Sequence, residues 1–356
     1  MLHFFVINGT NVNKKVTRAF FFLFVAVFCI FAPYYSAMTL RDLFIAHPDI
    51  IINTDIDGIL SGVVLSHYCG CKVAGFSNSK DTVWLRDGIN SVYDPVYIDM
   101  FVPRPDVWCI DQHIVSVNGR HHDHFVAAGT KLSPQLERHR VFERNDYKCK
   151  YPFGAVHYII AKLEGEGVKV DFPDLHTIVD TRLNIRLGDL LLRADDAMKT
   201  SLNSNYMDNA KDWWKWLWAL SNHASSVRRM IDFLYKDTPA TKVNAIKANT
   251  KVYFFSHFGS SSGDGGFEGV TDSENIILPN VVGYINEMAR IMGMPLVFER
   301  HYVSHVGQYK RVSWDRRWEN EFVDRGTIHG EAVFSYAFVY GPDATSPNFS
   351  YTVNMP

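Results

Sequence analysis

The chain has 356 residues, 47% of them apolar and 21% charged, with a formal net charge of −2. That length supports a sizeable core and two domains, and the composition excludes a disordered or fibrous protein. The near-neutral total excludes the broad basic footprint of a duplex-binding protein, although a small basic groove fits within it.

Residues 14–38, KKVTRAFFFLFVAVFCIFAPYYSAM, set a basic lead, an apolar run and small residues before Met38. Three readings fit: a signal peptide, a membrane anchor over 19–35, or an upstream reading frame with Met38 as the true start. Only the anchor reading brings a membrane partner. Residues 1–37 are therefore treated as an N-terminal extension outside the fold. Five cysteines (Cys29, Cys69, Cys71, Cys109, Cys149) show no zinc-ligand spacing, and their odd count suits reduced thiols in the cytoplasm.

From Leu40 onward, short apolar runs alternate with amphipathic stretches. DIIINTD (49–55) predicts a buried strand, and GILSGVVLSHYCG (58–70) a helix closed by Gly70. CKVAGFS (71–77) is strand-like. DPVYIDM (94–100) and DVWCIDQH (106–113) are apolar runs that each reach an acid. YPFGAVHYIIAKLEGEG (151–167) predicts a helix after a turn, and LGDLLLRADDA (187–197) an apolar run leading to acids. The long helical stretch 209–236 contains WWKWLW (213–218), which reads as a buried helix face before a base-stacking platform. GSSSGDGG (259–266) reads as a flexible loop, and AVFSYAFVYG (332–341) as a strand. The expected fold is α/β, an open, mainly parallel sheet over 38–207, a helical connector over 208–240, and a smaller α+β domain over 241–356.

Open parallel sheets bind ligands at the carboxyl ends of their strands, where Asp55, Asp99 and Asp111 would share one edge. Each aspartate alone reads as a helix N-cap or a turn residue. As a set, Asp55, Asp57, Asp99, His113 and one later acid read as ligands for Mn²⁺ or Mg²⁺. Two such ions close together can activate water and steady the charge on a phosphoryl group.

These residues also carry a resemblance. NTDIDGILSG is similar to the first motif of the DHH phosphoesterase superfamily, VYIDM to its second, and CIDQHIV to the Asp-His-His motif itself. YPFGAVHYIIAKL resembles the Tyr-Pro-Phe segment of RecJ-type exonucleases, and LLLRADDA the fourth motif. RGTIHGEA (325–332), preceded by KRVSWDRR (310–317), is similar to the glycine-rich loop and arginine strand of the DHH-associated domain. The resemblance implies Asp55, Asp57, Asp99 and Asp195 as metal ligands, with Asp196 an alternative to Asp195. It assigns Asp111 and His113 to the catalytic motif, and Arg316 and His329 to substrate phosphate. Gln112 departs from it, standing where the family has an imidazole that binds metal. His113 or the HHDH run (121–124), otherwise a polar loop, could supply that nitrogen.

The resulting expectation is a Mn²⁺- or Mg²⁺-dependent phosphohydrolase with two ions, acting on a nucleotide, a short oligonucleotide or a single-strand end. A DHH-like scaffold that binds a nucleotide or protein without turnover is the alternative that Gln112 motivates. A third reading takes DIDGIL as a haloacid-dehalogenase-like motif, with Asp55 as nucleophile and Asp57 as general acid.

Overall fold

A computed structural model describes residues 38–142, 149–171, 204–232, 256–260, 266–340 and 347–356. The N-terminal readings and the acids Asp195 and Asp196 lie outside these residues. Leu40–Pro356 form one compact unit. Among the described residues, no helix is long and apolar enough to cross a membrane.

The run Ile50-Ile51-Ile52 explains the layering. In a strand, successive side chains point to opposite faces, and all three isoleucines are buried, so the sheet is covered on both sides. Strand β1 (Asp49–Asn53) sits centrally in a seven-stranded sheet. Its parallel neighbours are β2 (Lys72–Ser77) on one side and β4 (Val96–Ile98) on the other. Beyond β4 lie β5 (Cys109–Ile110) and β6 (Lys131–Leu132), also parallel. On the other side, β3 (Thr82–Arg86) pairs antiparallel with β2, and β7 (Tyr302–Val306) antiparallel with β3. The architecture is α/β with a mostly parallel sheet.

Helix α1 (Leu40–Ala46) precedes β1, and α2 (Ile56–Cys69) follows it and ends on Gly70 at φ 72°, as the sequence predicts. Gly58 lies so close to Asn53 that any Cβ there would overlap the Asn53 carbonyl. Helix α3 (Gly119–Ala128) and the short α4 (Pro134–Glu137) flank β6 in the chain, and α5 (Ala155–Gly165) comes next. The HHDH run is therefore helical rather than a polar loop, and His121 and His122 are buried. His121 rests on Phe125 and Phe322, and burial pushes its pKa down to about 3.

The stretch read as one long helix is two: α6 (Ser204–Leu220) and α7 (Ser225–Asp232), separated by a turn. Asn222 and His223 in that turn have positive φ, which an α-helix cannot continue through. Trp213, Trp214 and Leu217 are fully buried, so the tryptophan cluster is a core face, as expected. They join α2, α5 and helix α8 (Pro279–Met292) in one apolar layer that includes Ile50 and Ile52.

Ile51, Tyr97 and Cys109 belong to a second apolar layer with Phe334, Tyr336 and Phe349. That layer is covered by a four-stranded sheet in the order β8 (Gln308–Ser313), β11 (Pro347–Val353), β10 (Glu331–Tyr340), β9 (Thr327–Ile328). Helix α9 (Glu319–Arg325) contributes Phe322 and Val323 to it. The described residues from 256 onward thus divide between the two layers. Helix α8 and β7 complete the first sheet's surroundings, and β8–β11 form the antiparallel sheet.

Candidate functional site

The strand ends converge by register. Ile98 of β4 pairs with Ile110 of β5, so Asp99 and Asp111, each one residue further, stand side by side. The Asp99 N–H continues the ladder to the Ile110 carbonyl at 2.8 Å, and the Asp111 N–H to Leu132 at 3.1 Å. Asp99 then turns out of the sheet at φ 59°, a left-handed conformation that aspartate tolerates better than most residues. Both acids are buried.

Asp111 holds His113 twice. Its Oδ2 accepts the His113 backbone N–H at 2.9 Å, and its Oδ1 lies 2.9 Å from His113 Nδ1. A carboxylate only accepts, so Nδ1 carries the proton and Nε2 presents its lone pair. The Asp111 side chain has no exposure, whereas that of His113 is 39% exposed. Asp99, Asp111 and His113 each offer a ligand atom within 4.8 Å of the others, a spacing that could hold a metal ion.

Gln112 lies between them. Its Nε2 is 3.3 Å from His113 Nε2 and 3.5 Å from Asp99 Oδ1. Both neighbours are acceptors, which is why the amide presents its nitrogen. The Gln112 backbone carbonyl accepts from Gln135 Nε2 at 3.2 Å, and Asn53 Nδ2 donates to Asp99 Oδ2 at 3.2 Å. Asn53 and Gln135 went unnoticed in the sequence. Asn53 left a trace there, as a polar residue closing an apolar strand, but Gln135 left none.

Asp55 and Asp57 are placed differently. Asp55 is the N-cap of α2, its Oδ1 accepting the Gly58 N–H at 2.9 Å. The Asp57 carboxylate, 3% exposed, reaches across to α5. Its Oδ2 accepts from Ala155 N at 2.8 Å and its Oδ1 from Val156 N at 3.1 Å. These are the orphan donors of a helix start, where a negative charge is favoured. A Cβ at Gly154 would overlap that carboxylate, so the glycine of YPFG makes the approach possible. Neither Asp55 nor Asp57 belongs to the group formed by Asp99, Asp111 and His113.

A cleft of about 50 Å³ opens over Asp99, Asp111 and His113. Its far wall comes from the antiparallel sheet, with Tyr309, Ser335, Ser350, Tyr351 and Thr352 among the lining residues, and Ser79 beside them. Arg316 and His329 are exposed and do not line it. His329 has its ring 5.3 Å from that of Trp318.

In comparisons with known proteins, no family model, no curated protein and no solved structure matches the chain. The functional reading therefore rests on the site itself.

Proposed function

We propose that the protein is a metal-dependent phosphohydrolase of the DHH type, acting in the cytoplasm on a phosphoester of a nucleotide or short single strand. The observation that carries this reading is the convergence of Asp99, Asp111 and His113 at adjacent parallel strand ends, beneath a cleft. Two carboxylates and an imidazole suit Mn²⁺ or Mg²⁺, and the described residues fit one ion. Such an ion would supply Lewis-acid stabilisation of phosphoryl charge and a more acidic water.

The chain's own residues do the rest. Asp111 fixes the tautomer and orientation of His113. Asn53 holds Asp99 through Oδ2 and leaves Oδ1 toward Gln112. Ser335 and Ser350 line the opposite wall, where their hydroxyls could donate to phosphate oxygens, whereas the Thr352 hydroxyl already donates to the Lys80 carbonyl. A cleft of this volume takes a phosphoryl group or a few waters, with the remainder of the substrate outside it.

One observation favours the scaffold alternative: the Gln112 amide nitrogen lies beside Asp99 and His113, where it meets their acceptors as a cation would. The haloacid-dehalogenase-like reading needs Asp57 as a general acid, but its carboxylate is taken up by two helix N–H groups.

The test is metal analysis of the full-length protein, with a phosphodiester and nucleotide panel assayed under Mn²⁺. Bound Mn²⁺ and turnover that both disappear in Asp111→Asn support the hydrolase. A folded protein with neither moves the scaffold reading ahead.

A further inference from the structure

His122 has an acceptor at each ring nitrogen. Its Nε2 lies 3.0 Å from the Leu136 carbonyl oxygen, and its Nδ1 lies 3.1 Å from Asp123 Oδ1. A carbonyl and a carboxylate both only accept, and a neutral imidazole carries one N–H. With that proton on the buried Leu136 side, the Nδ1 lone pair faces a carboxylate oxygen at hydrogen-bond distance. Two acceptors held that close call for a cation between them. The arrangement of the other nitrogen is the one that metal-bound histidines use, with the distal N–H donated to a backbone carbonyl.

A third donor is brought to the same place. The His139 ring stands 3.8 Å from that of His122, centre to centre, and His122, Asp123 and His139 offer ligand atoms within 4.8 Å of one another. His139 reaches this position from a backbone φ of 52°, a left-handed conformation in which histidine, like asparagine and aspartate, is enriched among non-glycine residues. The turn is held by its own N–H to Leu136 at 3.0 Å and by Arg140 N to Gln135 at 2.8 Å. Nothing in the proposed hydrolase uses these residues.

We propose that His122, Asp123 and His139 form a second metal site, with a preference for a borderline divalent ion such as Zn²⁺. Two imidazoles and one carboxylate are the donor set that Zn²⁺ accepts with a fourth position left to water. The site is independent of Asp99, Asp111 and His113 and does not need the hydrolase reading. Its physical effect is local. It ties α3 to the turn after α4, the segment whose Gln135 amide supports the Gln112 carbonyl. A metal here is a clamp on that segment rather than a reaction centre.

The experiment is Zn²⁺ titration of the full-length, chelator-treated protein by calorimetry, with Co²⁺ substitution read by visible absorption. We expect one equivalent that survives Asp111→Asn but weakens at least about tenfold in Asp123→Asn and in His139→Asn. Asn is chosen at 139 because it tolerates the left-handed backbone. Thermal melts confirm folding, and a given Zn²⁺ concentration should raise the melting temperature of the wild type more than that of the two variants, by mass action. Zn²⁺ uptake that Asp123→Asn and His139→Asn leave unchanged overturns the proposal. So does the absence of uptake.

Discussion

Two pairs of buried aspartates lie at the carboxyl ends of the same parallel sheet, and they are held in opposite ways. Asp55 and Asp57 accept backbone N–H groups at the starts of α2 and α5. Their charge is matched by helix ends, and they join elements of the fold. Asp99 and Asp111 meet a histidine and side-chain amides beneath a cleft, an arrangement that a cation would complete. The chemistry of a buried carboxylate is set by what donates to it, and donors come from anywhere in the chain. Spacing along the sequence places the acid but not its partner.

The comparison is most exposed at Asp57. Asp57→Ala strips two buried N–H groups of their acceptor, and the capping and desolvation terms together amount to about 2–4 kcal/mol. The expected outcome is a large drop in the urea midpoint at unchanged m-value. Metal binding per folded molecule should be retained. If Asp57→Ala is as stable as wild type but has lost its Mn²⁺, Asp57 is a ligand and the division into two pairs collapses.

Asp99 is the converse test. Asp99→Asn keeps the shape, suits the left-handed backbone and removes charge from the Asp99, Asp111 and His113 group. Mn²⁺ affinity should fall about 100-fold or more, since a direct ligand is worth at least as much as an outer-shell partner. In chelator, the variant should be no less stable than wild type, because one buried charge is gone. Calorimetry and melts on the same sample decide it. Undiminished Mn²⁺ affinity would show that Asp99 is another structural acid.

Much of the first sheet was legible because apolar runs of three to five residues closed by an acid leave few alternatives to a buried parallel strand. Gly70 at the end of α2 and the buried tryptophan face of α6 were legible for the same kind of local reason. The edge strand β7 was not, because its pairing with β3 is made across more than 200 residues of chain. The turn at Asn222 and His223 was hidden by helical periodicity on both sides. Within the site, Asp99, Asp111 and His113 were readable as a group from the strand ends. That Asp57 serves α5 was not, since its donors lie 98 and 99 residues away. Only Gly154 hinted at it, as a glycine just before a helix. Asp195 lies outside the described residues.

Gln112 sits on the boundary between the two kinds of acid, because its amide already satisfies Asp99 and His113 to some extent. Gln112→His puts an imidazole nitrogen beside Asp99 and removes the amide donor that competes for the same acceptors. The Mn²⁺ concentration for half-maximal binding should fall about tenfold, which is roughly 1.4 kcal/mol. A variant that stays folded but binds Mn²⁺ more weakly would show that the glutamine is adapted to the cation-free arrangement. The scaffold reading would then gain at the expense of the hydrolase.

The smallest effect is expected where the resemblance and the cleft disagree. The resemblance assigns Arg316 and His329 to substrate phosphate, yet both are exposed and outside the lining of the cleft. Ser335 and Ser350 line the cleft with Asp99 and Asp111 instead. A surface side chain that touches no substrate contributes within about 0.5 kcal/mol, so Arg316→Ala and His329→Ala should each change KM less than about threefold. Ser335→Ala, which removes a hydroxyl from a buried residue lining the cleft, should raise KM more than either. The three constants, measured with one small phosphodiester under saturating Mn²⁺, rank the two surfaces directly. Should Arg316→Ala raise KM tenfold while Ser335→Ala leaves it alone, substrate is held outside the cleft. The acids would then face the reacting phosphate from one side only, and the far wall would be structural.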